Sequence, residues 1–279
     1  MFFKRGALSN WAYLPYYSYF KALDSLATTY LPPEKWSYAD KEDYGILQNY
    51  LNYTFEKLWN ERSFVPKDNM QKYVYEGDTA ACFNTGLFDK NWQPIYFCCV
   101  KNPNEGQQTW MFKCFCNSYE ISLNATDLQP SIVSSLRRAN YFVDPSALIF
   151  NVNLDIIPQW DHILDNPENF KRIPSQLQTL GRGACQNIIE GAITKVKNRI
   201  AANYKTVVPQ YFRDKNNDQG KIQLLAPLYL TNDNKPDLAL VLSLSKDKTL
   251  YYGHTCLTTE MAYNNARLIA KPDSDWLIP

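Results

Sequence analysis

The sequence predicts an α+β fold in which a unit of one helix and an antiparallel β-meander occurs twice, the two copies forming one core with pseudo-twofold symmetry. In each half, a helix with a regular apolar stripe precedes three β-rich runs. The two stripes coincide at an offset of 142 residues, and a polar turn recurs at the same offset. With 279 residues and a hydrophobic fraction of 45%, the chain can bury such a core.

The first copy begins with a short helix over residues 16–30, which Pro32 and Pro33 end. A longer helix is predicted over 44–61, because apolar residues recur there at helical spacing, with Thr54 as the weakest member. This stripe consists of Ile46, Leu47, Tyr50, Leu51, Thr54 and Leu58. The three β-rich runs that follow, separated by polar turns, are Ala80–Phe88, Ile95–Lys101 and Thr109–Cys116.

The second copy has the same order of elements. A short helix is predicted over Trp160–Phe170 and a long helix over 184–203, whose apolar stripe repeats the first one. The repeated stripe consists of Ile188, Ile189, Ala192, Ile193, Val196 and Ile200. The strands predicted after it are Lys221–Tyr229, Leu238–Leu244 and Thr249–Cys256. Because the turns Asp89–Pro94 and Thr231–Pro236 also share the offset, we interpret the pattern as an internal duplication, with chance similarity as the alternative.

This duplication sets the expected organisation of the chain. Residues 1–279 are expected to form a single globular domain, with a first repeat at 16–116 and a second at 159–270. The segment 117–158 between the repeats is interpreted as an insertion. Its predicted elements are a helix near Ser131–Tyr141 and a strand near Ala147–Leu154.

Net charge, hydropathy and cysteine content exclude some classes of protein and indicate where in the cell the protein is expected. With 29 basic and 28 acidic residues the formal charge is +1, which argues against a uniformly basic protein that coats polyanions. No run of 18 apolar residues occurs and the N-terminus lacks the apolar core of a signal peptide, so we expect a cytoplasmic protein outside the membrane. The seven cysteines, an odd number in a chain of this size, are expected to be reduced thiols.

A basic segment runs from Lys171 to Lys221. It holds ten basic and three acidic residues, a net charge of +7, and aromatic residues are interleaved with the basic ones. Cations that hold phosphates and rings that stack on bases are what a nucleotide or a single-stranded nucleic acid requires. The candidate ligand-binding residues here are Lys195, Arg199, Lys205 and Tyr211. The alternative is a solvated helix face followed by a mobile loop over Arg213–Gly220.

A polar junction at residues 253–267 joins the last predicted strand to the last predicted helix. Thr258 or Thr259 would be the N-cap of that helix. The candidates on one face of the helix, or just before it, are His254, Thr255, Glu260, Asn264 and Arg267. A histidine, a carboxylate, an amide and a guanidinium near a helix N-terminus can bind an anion or cleave a phosphoester. The alternative is an ordinary capped helix with a solvated polar face.

The catalytic version of this site assigns a role to each ionisable group. His254 is the general acid or base, and Glu260 is its partner or the opposing base. Arg267, together with Lys195 or Arg199, stabilises the charge of the phosphorane. The reaction would be the metal-independent hydrolysis of a phosphodiester or nucleotide. His162, the other histidine, lies in an aromatic context and is expected to be a hydrogen-bonded core residue. The alternative is that the two histidines are the acid and base of a metal-independent nuclease, although nothing in the sequence indicates that they meet.

The sequence gives little support for a metal or a cofactor, and we expect neither. Cys114 and Cys116 share one face of a strand, whereas Cys98 and Cys99 point to opposite faces. No C-x2-C pair occurs, so buried thiols are expected rather than a structural zinc site. No Walker loop, dinucleotide-binding glycine pattern or nucleophile elbow is present. Asn84 is a candidate to line a groove between the two halves, although a turn is the simpler interpretation.

Several segments together resemble one protein family. They are Phe83–Leu87, Trp160–Leu164, Val208–Phe212, Leu224–Leu230, Gly253–Thr258 and Glu260–Leu268. Over most of the chain they resemble the domain of unknown function 3825. That family is similar to modules found beside OST-type helix-turn-helix (LOTUS) domains and cold-shock domains, and those neighbours bind RNA. The resemblance therefore implies a role linked to RNA, by association and without an established reaction.

These observations leave three functions from different classes. The first is an RNA- or nucleotide-binding domain with an anion site in the C-terminal half. The second is a metal-independent phosphoesterase or RNase that uses the same groove. The third is a structural or assembly protein whose duplicated sheets form interfaces. The expected partners are RNA or a nucleotide, and a second copy of the chain or an RNA-binding protein, without a membrane.

Overall fold

The computed structural model of the chain describes residues 7–39, 41, 43–121, 128–141, 144–212 and 220–277. The chain divides into two compact units, Met1–Asn140 and Tyr141–Pro279, and the described part of each unit contains one five-stranded sheet. The boundary falls inside the predicted insertion between the repeats. The α+β class is confirmed, whereas the single domain, the pseudo-twofold relation and a core shared by both copies stay predictions.

The first unit surrounds its sheet with short helices and one long helix. The described helices are α1 (Ala7–Trp11), α2 (Tyr16–Ser25), α3 (Gly45–Arg62), α4 (Lys67–Met70) and α5 (Pro130–Ser134), and a π-helical turn follows α2 at Leu26–Tyr30. The strands are β1 (Ala12–Tyr13), β2 (Val74–Glu76), β3 (Ala80–Phe88), β4 (Pro94–Lys101) and β5 (Trp110–Cys116). The two predicted helices and three predicted strands of the first copy are therefore confirmed.

The apolar stripe of α3 packs as its spacing predicts. All six stripe residues are buried, and Phe55, which the stripe left out, is buried with them. The Phe55 ring lies 5.2 Å from that of Phe83 on β3, which in turn stacks on Phe97 of β4 at 5.0 Å between centroids. Tyr19 of α2 meets Phe112 of β5 edge-on at 4.9 Å. An aromatic layer thus joins both helices to one face of the sheet.

The second unit repeats this plan. Its described helices are α6 (Pro167–Phe170), α7 (Ser175–Gln178), α8 (Arg182–Ala202) and α9 (Thr259–Ala266), with a π-helical turn at Asp161–Asp165 and 3₁₀ turns at Pro145–Leu148 and Tyr204–Thr206. Its strands are β6 (Asp155–Pro158), β7 (Val208–Phe212), β8 (Lys221–Leu228), β9 (Leu238–Leu244) and β10 (Leu250–Leu257). The predicted long helix and three strands of the second copy are confirmed.

The long helix α8 packs its apolar stripe into the core of the second unit. Five of the six predicted stripe residues are buried, and the sixth, Ile188, is partly buried against the same core. Basic residues of the segment that runs from Lys171 to Lys221 occupy its other faces. Nowhere in the described ranges is a helix both long enough and apolar enough to cross a membrane.

The two sheets have the same strand order. The first runs β1-β5-β4-β3-β2 and the second runs β6-β10-β9-β8-β7. Strands β3, β4 and β5 of the first sheet and β8, β9 and β10 of the second form the predicted antiparallel meanders. Each meander is extended at one edge by an antiparallel strand that the sequence did not predict, β2 or β7. Each sheet also gains an edge strand that the sequence did not predict, since β1 and β6 lie parallel to the last strand of their sheet. Such a parallel neighbour requires a crossover connection, which the helices provide.

The elements predicted between the long strands of the two copies need correction. The helix near Ser131–Tyr141 is the shorter α5, and the strand near Ala147–Leu154 is wrong. Residues Pro145–Leu148 form a 3₁₀ turn instead, because the Asp144 side chain accepts a hydrogen bond from the first turn and proline fixes its backbone. The strand begins only with β6. The helix predicted over Trp160–Phe170 is divided between the π-helical turn and α6.

A β-bulge occurs at the equivalent place in both sheets. In the first sheet the register between β4 and β5 shifts, and Lys113, between Phe112 and Cys114, is the extra residue. In the second sheet the register between β9 and β10 shifts in the same way, and His254 is the extra residue. Lys113 and His254 are 141 residues apart, close to the offset of the stripes. The shared bulge therefore supports the internal duplication.

Candidate functional site

The bulge takes His254 out of the regular alternation of β10. The side chain is half-buried, and its Nδ1 atom lies 2.7 Å from Oε1 of Gln159. Gln159 directly follows β6, and its backbone N–H donates a hydrogen bond of 2.8 Å to the carbonyl oxygen of Gly253. The parallel edge strand that the sequence did not predict therefore positions the imidazole.

The contact with Gln159 determines which ring nitrogen of His254 carries the proton. Because an amide oxygen only accepts hydrogen bonds, Nδ1 donates and Nε2 keeps a lone pair. Nε2 is buried and has no hydrogen-bond partner within the described ranges. Burial lowers the pKa of His254, and the positive charges of Lys221 and His162 lower it further. The ring is therefore neutral at pH 7 and offers an unsatisfied acceptor.

Three basic residues lie near this bulge. Lys221 at the start of β8 and His162 in the π-helical turn both lie near enough to act electrostatically on His254. Arg172 holds the strand beyond the bulge, since its Nη1 atom donates a hydrogen bond of 2.9 Å to the carbonyl oxygen of Cys256. The side chain of His162 is exposed, so its predicted place in the core is wrong. His162 thus lies within electrostatic range of His254.

Exposed aromatic side chains flank the positive groups. The Tyr252 ring lies 6.2 Å from the His254 ring, and 37% of the Tyr252 surface is exposed. Phe212, at the end of β7, pairs directly with Lys221 and is 41% exposed. Strand register places Phe212, Lys221 and Tyr252 on the same face of the second sheet. This face therefore offers aromatic surface beside a cation.

A buried row of hydrogen-bonded amides crosses the same face. Gln210 Nε2 donates to Gln223 Oε1 at 3.0 Å, and Gln223 Nε2 donates to Ser243 Oγ at 2.9 Å. Asn265 of α9 continues the row by donating to Gln210 Oε1 at 3.1 Å. The row ties α9 to three strands and sets the position of the helix over the sheet.

The helix α9 begins at the predicted cap. The Thr258 hydroxyl accepts a hydrogen bond of 3.2 Å from the Met261 N–H, which decides between Thr258 and Thr259. The helix packs on β7, β9 and β10. The candidates placed here by the sequence are all half-buried. They are Thr255 at the bulge, Glu260 and Asn264 on α9, and Arg267 directly after α9. This polar face is therefore not fully solvated.

Lys195 and Arg199 extend from α8 to the turn between β8 and β9. Lys195 Nζ lies 3.9 Å from Asp233 Oδ1. The Arg199 guanidinium lies 3.8 Å from the centre of the Tyr229 ring and donates a hydrogen bond of 3.0 Å to the carbonyl oxygen of Asp233. Both cations are thus engaged within the unit, as the alternative of a structural helix face implies.

The charge of +7 counted along the basic segment is not its local charge in the structure. Several of its basic residues pair with acids that lie outside the segment: Lys171 with Glu168, Arg182 with Asp165, Lys195 with Asp233, Lys197 with Asp155, and Lys205 with Asp273. Such exposed pairs stabilise little, but they place negative charge among the cations. Residues 213–219, with two more basic residues and most of the predicted mobile loop, lie outside the described residues.

Lys205 belongs to a different part of the second unit. It lines a cavity of about 270 Å³ whose walls are mostly apolar, formed by Leu148, Ile149, Val207, Val208, Pro209, Ala266, Ile269 and Pro272. Its Nζ atom lies 3.6 Å from Asp273 at the same cavity. The lining of this cavity includes none of the residues around His254.

The two remaining ligand-binding candidates have structural contacts. The Tyr211 ring packs edge-on against Tyr141, with centroids 4.9 Å apart. Asn84 lies in the first unit, where its Nδ2 donates to the carbonyl oxygen of Leu136 at 3.4 Å and its Oδ1 accepts from the Gly86 N–H at 2.9 Å. Gly86 has a φ of +76°, at a shift in the pairing of β3 with β4. This geometry fits the simpler interpretation of a local turn.

One group of side chains in the described part of the chain could hold a metal ion. It consists of Cys98, Cys114 and Cys116 in the first sheet, whose Sγ atoms all lie within 4.8 Å of one another. All seven cysteines are free. Hydrogen bonds from the Cys116 and Cys98 thiols lower the pKa of Cys114, whereas burial raises the pKa of Cys82 and Cys256 to about 12. Hydrogen bonding to Cys114 raises the pKa of Cys98 and of Cys116, so Cys114 is the thiol of the cluster that differs chemically from the isolated ones.

Sequence reasoning missed several residues that build the His254 site. Gln159 and Arg172 contact β10 from segments that are 95 and 84 residues away in the chain. Gln210 and Gln223 could have been noticed, because each is a polar residue at an inward position of an otherwise apolar strand. Lys221 lay in the basic segment but was not distinguished from its neighbours.

Comparison with known proteins gives one match. A family model described as "Domain of unknown function (DUF3825)" matches residues 27–276. No curated protein and no solved structure matches the chain. The match extends over most of both units, including every residue of the His254 site.

Proposed function

Because the chain belongs to the family described as Domain of unknown function (DUF3825), whose description assigns no reaction, we propose from the His254 site that it binds RNA or a ribonucleotide. The observation that carries this proposal is the neutral His254 ring, whose Nε2 lone pair lacks a partner in the described structure beside Lys221 and His162. A neutral acceptor next to cations suits a ligand that offers both a hydroxyl donor and a phosphate.

Each part of a ribonucleotide has a matching group at this site. A ribose hydroxyl would donate to His254 Nε2, the phosphate would lie against Lys221 and His162, and a base would stack on Tyr252. Leaving Nε2 without a donor costs about 1–3 kcal/mol, which a bound hydroxyl would recover. Since Nε2 is buried, side chains around the bulge must move for the ribose hydroxyl to reach it.

The family context points in the same direction. The resemblance to modules that occur beside OST-type helix-turn-helix (LOTUS) and cold-shock domains supports a role with RNA, shared with a second copy or with an RNA-binding partner. The free state of all seven cysteines supports a site of action in the reducing cytoplasm. The anion-binding residues of this proposal are Lys221 and His162, with Lys195 and Arg199 in a structural role.

The electrostatic effect of His162 on His254 favours a second candidate, cleavage of RNA without a metal. His254 Nε2 would take the proton of a ribose 2′-hydroxyl, and the 2′-oxygen would attack the adjacent phosphorus. The bond from phosphorus to the 5′-oxygen would break, and that oxygen would take a proton from the His162 imidazolium. The products are a 2′,3′-cyclic phosphate and a 5′-hydroxyl end, with Arg267 as the candidate to stabilise the phosphorane and Glu260 as a partner of the histidines.

The test measures binding of a short unstructured RNA, and of DNA of the same sequence, to the full chain in EDTA. We expect RNA to bind about 10-fold more tightly, because one ribose hydrogen bond distinguishes the two. Lys221→Met should weaken binding and reduce the dependence of log Kd on log salt by about 0.7–1. The matched control is Lys195→Met, whose ammonium group faces Asp233 and which should bind like the wild type.

The recovered ligand separates the three functions. Intact RNA with specific binding supports the binding domain, and RNA that carries a cyclic phosphate supports the nuclease. Equal loss of binding in Lys221→Met and Lys195→Met contradicts binding at the His254 site. It would indicate that the ligand binds along the whole basic segment instead. Absence of binding to any nucleic acid or nucleotide contradicts both proposals and favours the assembly protein.

A further inference from the structure

Three cysteine side chains form a compact cluster on one face of the first sheet. Cys98 lies on β4, Cys114 and Cys116 lie on β5, and their Sγ atoms are all within 4.8 Å of one another. The Sγ atoms of Cys98 and Cys116 are 3.3 Å apart. The cluster belongs to the first unit, so its chemistry does not depend on the function proposed for the second.

Strand register brings these thiols together. Cys98 is directly opposite Cys114 in the pairing of β4 with β5, and Cys116 lies two residues further on the same face. Cys99, the neighbour of Cys98, pairs with Phe112 and belongs to the opposite face. The bulge precedes Cys114 immediately and places Lys113 next to the cluster.

Two of the three thiols are buried, and the third is half-buried. Cys98 and Cys116 are buried together with Val133 and Leu136, in and after α5. Cys114 is only half-buried. An ion could therefore reach the three sulfur atoms past Cys114, while the apolar side chains exclude competing water from the other two.

We propose that Cys98, Cys114 and Cys116 bind one Zn²⁺ ion as thiolates. Zn–S bonds of about 2.3 Å at tetrahedral angles place sulfur atoms about 3.8 Å apart. That separation lies between the 3.3 Å of the closest pair and the 4.8 Å limit of the cluster, so small side-chain rotations suffice. Each thiol that is still protonated releases its proton to solvent as its sulfur bonds to zinc, and no atom changes oxidation state.

Local charge favours Zn²⁺ over Cu⁺ among the ions that prefer sulfur. Three thiolates with Zn²⁺ carry a net charge of −1, whereas three thiolates with Cu⁺ carry −2. Lys113 stabilises negative charge on Cys114, but Glu120 disfavours it on Cys116. Because burial penalises each uncompensated charge, the divalent ion suits this site better.

The first test titrates the reduced, chelator-treated full chain with Co²⁺ as a spectroscopic probe and then with Zn²⁺. We expect one equivalent of Co²⁺, a thiolate-to-cobalt charge-transfer band, and displacement of Co²⁺ by Zn²⁺. Cys114→Ala should remove the band and weaken Zn²⁺ binding by at least about 10-fold. Losing a residue that only supports a metal ligand typically weakens binding by about 10-fold or more, and losing a ligand itself should cost at least as much. Cys185→Ala is the matched control, a buried cysteine of the second unit that should leave the titration unchanged.

A second measurement keeps the proposal testable if Cys114→Ala does not fold. In the wild type, Zn²⁺ should slow the alkylation of Cys114, the most exposed member of the cluster, as followed by mass spectrometry of its peptide. An unchanged alkylation rate overturns the proposal, as does full Zn²⁺ affinity in a folded Cys114→Ala variant. Formation of a disulfide between Cys98 and Cys116 without stoichiometric metal binding overturns it too, and identifies a redox pair instead.

Discussion

Lys113 on β5 and His254 on β10 are the extra residues of equivalent β-bulges, one in each five-stranded sheet. In both sheets the bulged strand pairs with a parallel edge strand on one side and an antiparallel strand on the other. The chemistry beside the two bulges nevertheless differs, with the thiol of Cys114 next to Lys113 and the amide of Gln159 bonded to His254. Two sheets with the same strand order thus carry different polar groups at one structural position.

The protonation of His254 should make stability depend on pH. Because burial lowers its pKa in the folded protein, the unfolded chain binds the proton more readily. The neutral imidazole of His254 therefore makes its full contribution to folding stability above its ordinary pKa of about 6.5. This contribution is lost as the pH falls through the lower pKa of the folded protein. As the pH is lowered from about 7 to about 5, the free energy of unfolding measured by urea denaturation should fall more for the wild type than for His254→Gln.

Imidazole NMR provides a direct check, since the chain has only 2 histidines. A His162→Gln variant assigns the two resonances, and that of His254 should titrate below its ordinary pKa. Equal pH dependence of unfolding in the wild type and His254→Gln would contradict the buried neutral imidazole.

The buried amide row should be sensitive at its centre. Gln223→Leu leaves the Gln210 amide without its acceptor and the Ser243 hydroxyl without its donor, both in buried positions. We expect a loss of about 1–3 kcal/mol for each unsatisfied group, measured by urea denaturation. Gln176→Leu, at an exposed position of α7, is the control and should change stability by less than about 0.5 kcal/mol. Similar losses in both variants would show that the row contributes nothing specific.

The long elements could be predicted because their periodicity is local. β3 and β9 begin and end at the predicted residues, Ala80–Phe88 and Leu238–Leu244. The edge strand β1 could not, because it has 2 residues and Ala12 pairs with Trp110, far away in the chain. A strand this short has no alternation to recognise, and its place is decided by the sheet that it joins.

Only part of the His254 site could be predicted, because several of its contacts join residues that are far apart in the sequence. His254 and the N-cap near Thr258 were identified from local sequence, whereas Gln159 approaches His254 from 95 residues away. Counting charge along the basic segment could not reveal that acids such as Asp233 fold back onto it. Likewise, the absence of C-x2-C spacing gave no sign of the thiol cluster, because Cys98 and Cys116 meet through the pairing of two strands.

The N-cap of α9 gives a test that separates two neighbouring threonines. Thr258→Ala removes the acceptor of the Met261 N–H and should cost about 1 kcal/mol of unfolding free energy. Thr259→Ala, at the first helical residue, should cost less, because that side chain does not cap the helix. Urea denaturation of the two variants at pH 7 makes the comparison. A larger loss in Thr259→Ala would place the cap one residue later than the structure does.

Arg172 should hold the end of β10 and, through it, the His254 bulge. Its guanidinium donates to the carbonyl oxygen of Cys256, and hydrogen bonds of charged groups contribute about 1.5–3 kcal/mol. Arg172→Met should therefore lower stability by that amount and increase hydrogen exchange at the β10 amides. Lys171→Met is the matched control, since its exposed pair with Glu168 should contribute less than about 1 kcal/mol. Unchanged exchange in β10 of Arg172→Met would mean that β6 and β9 hold the bulge without it.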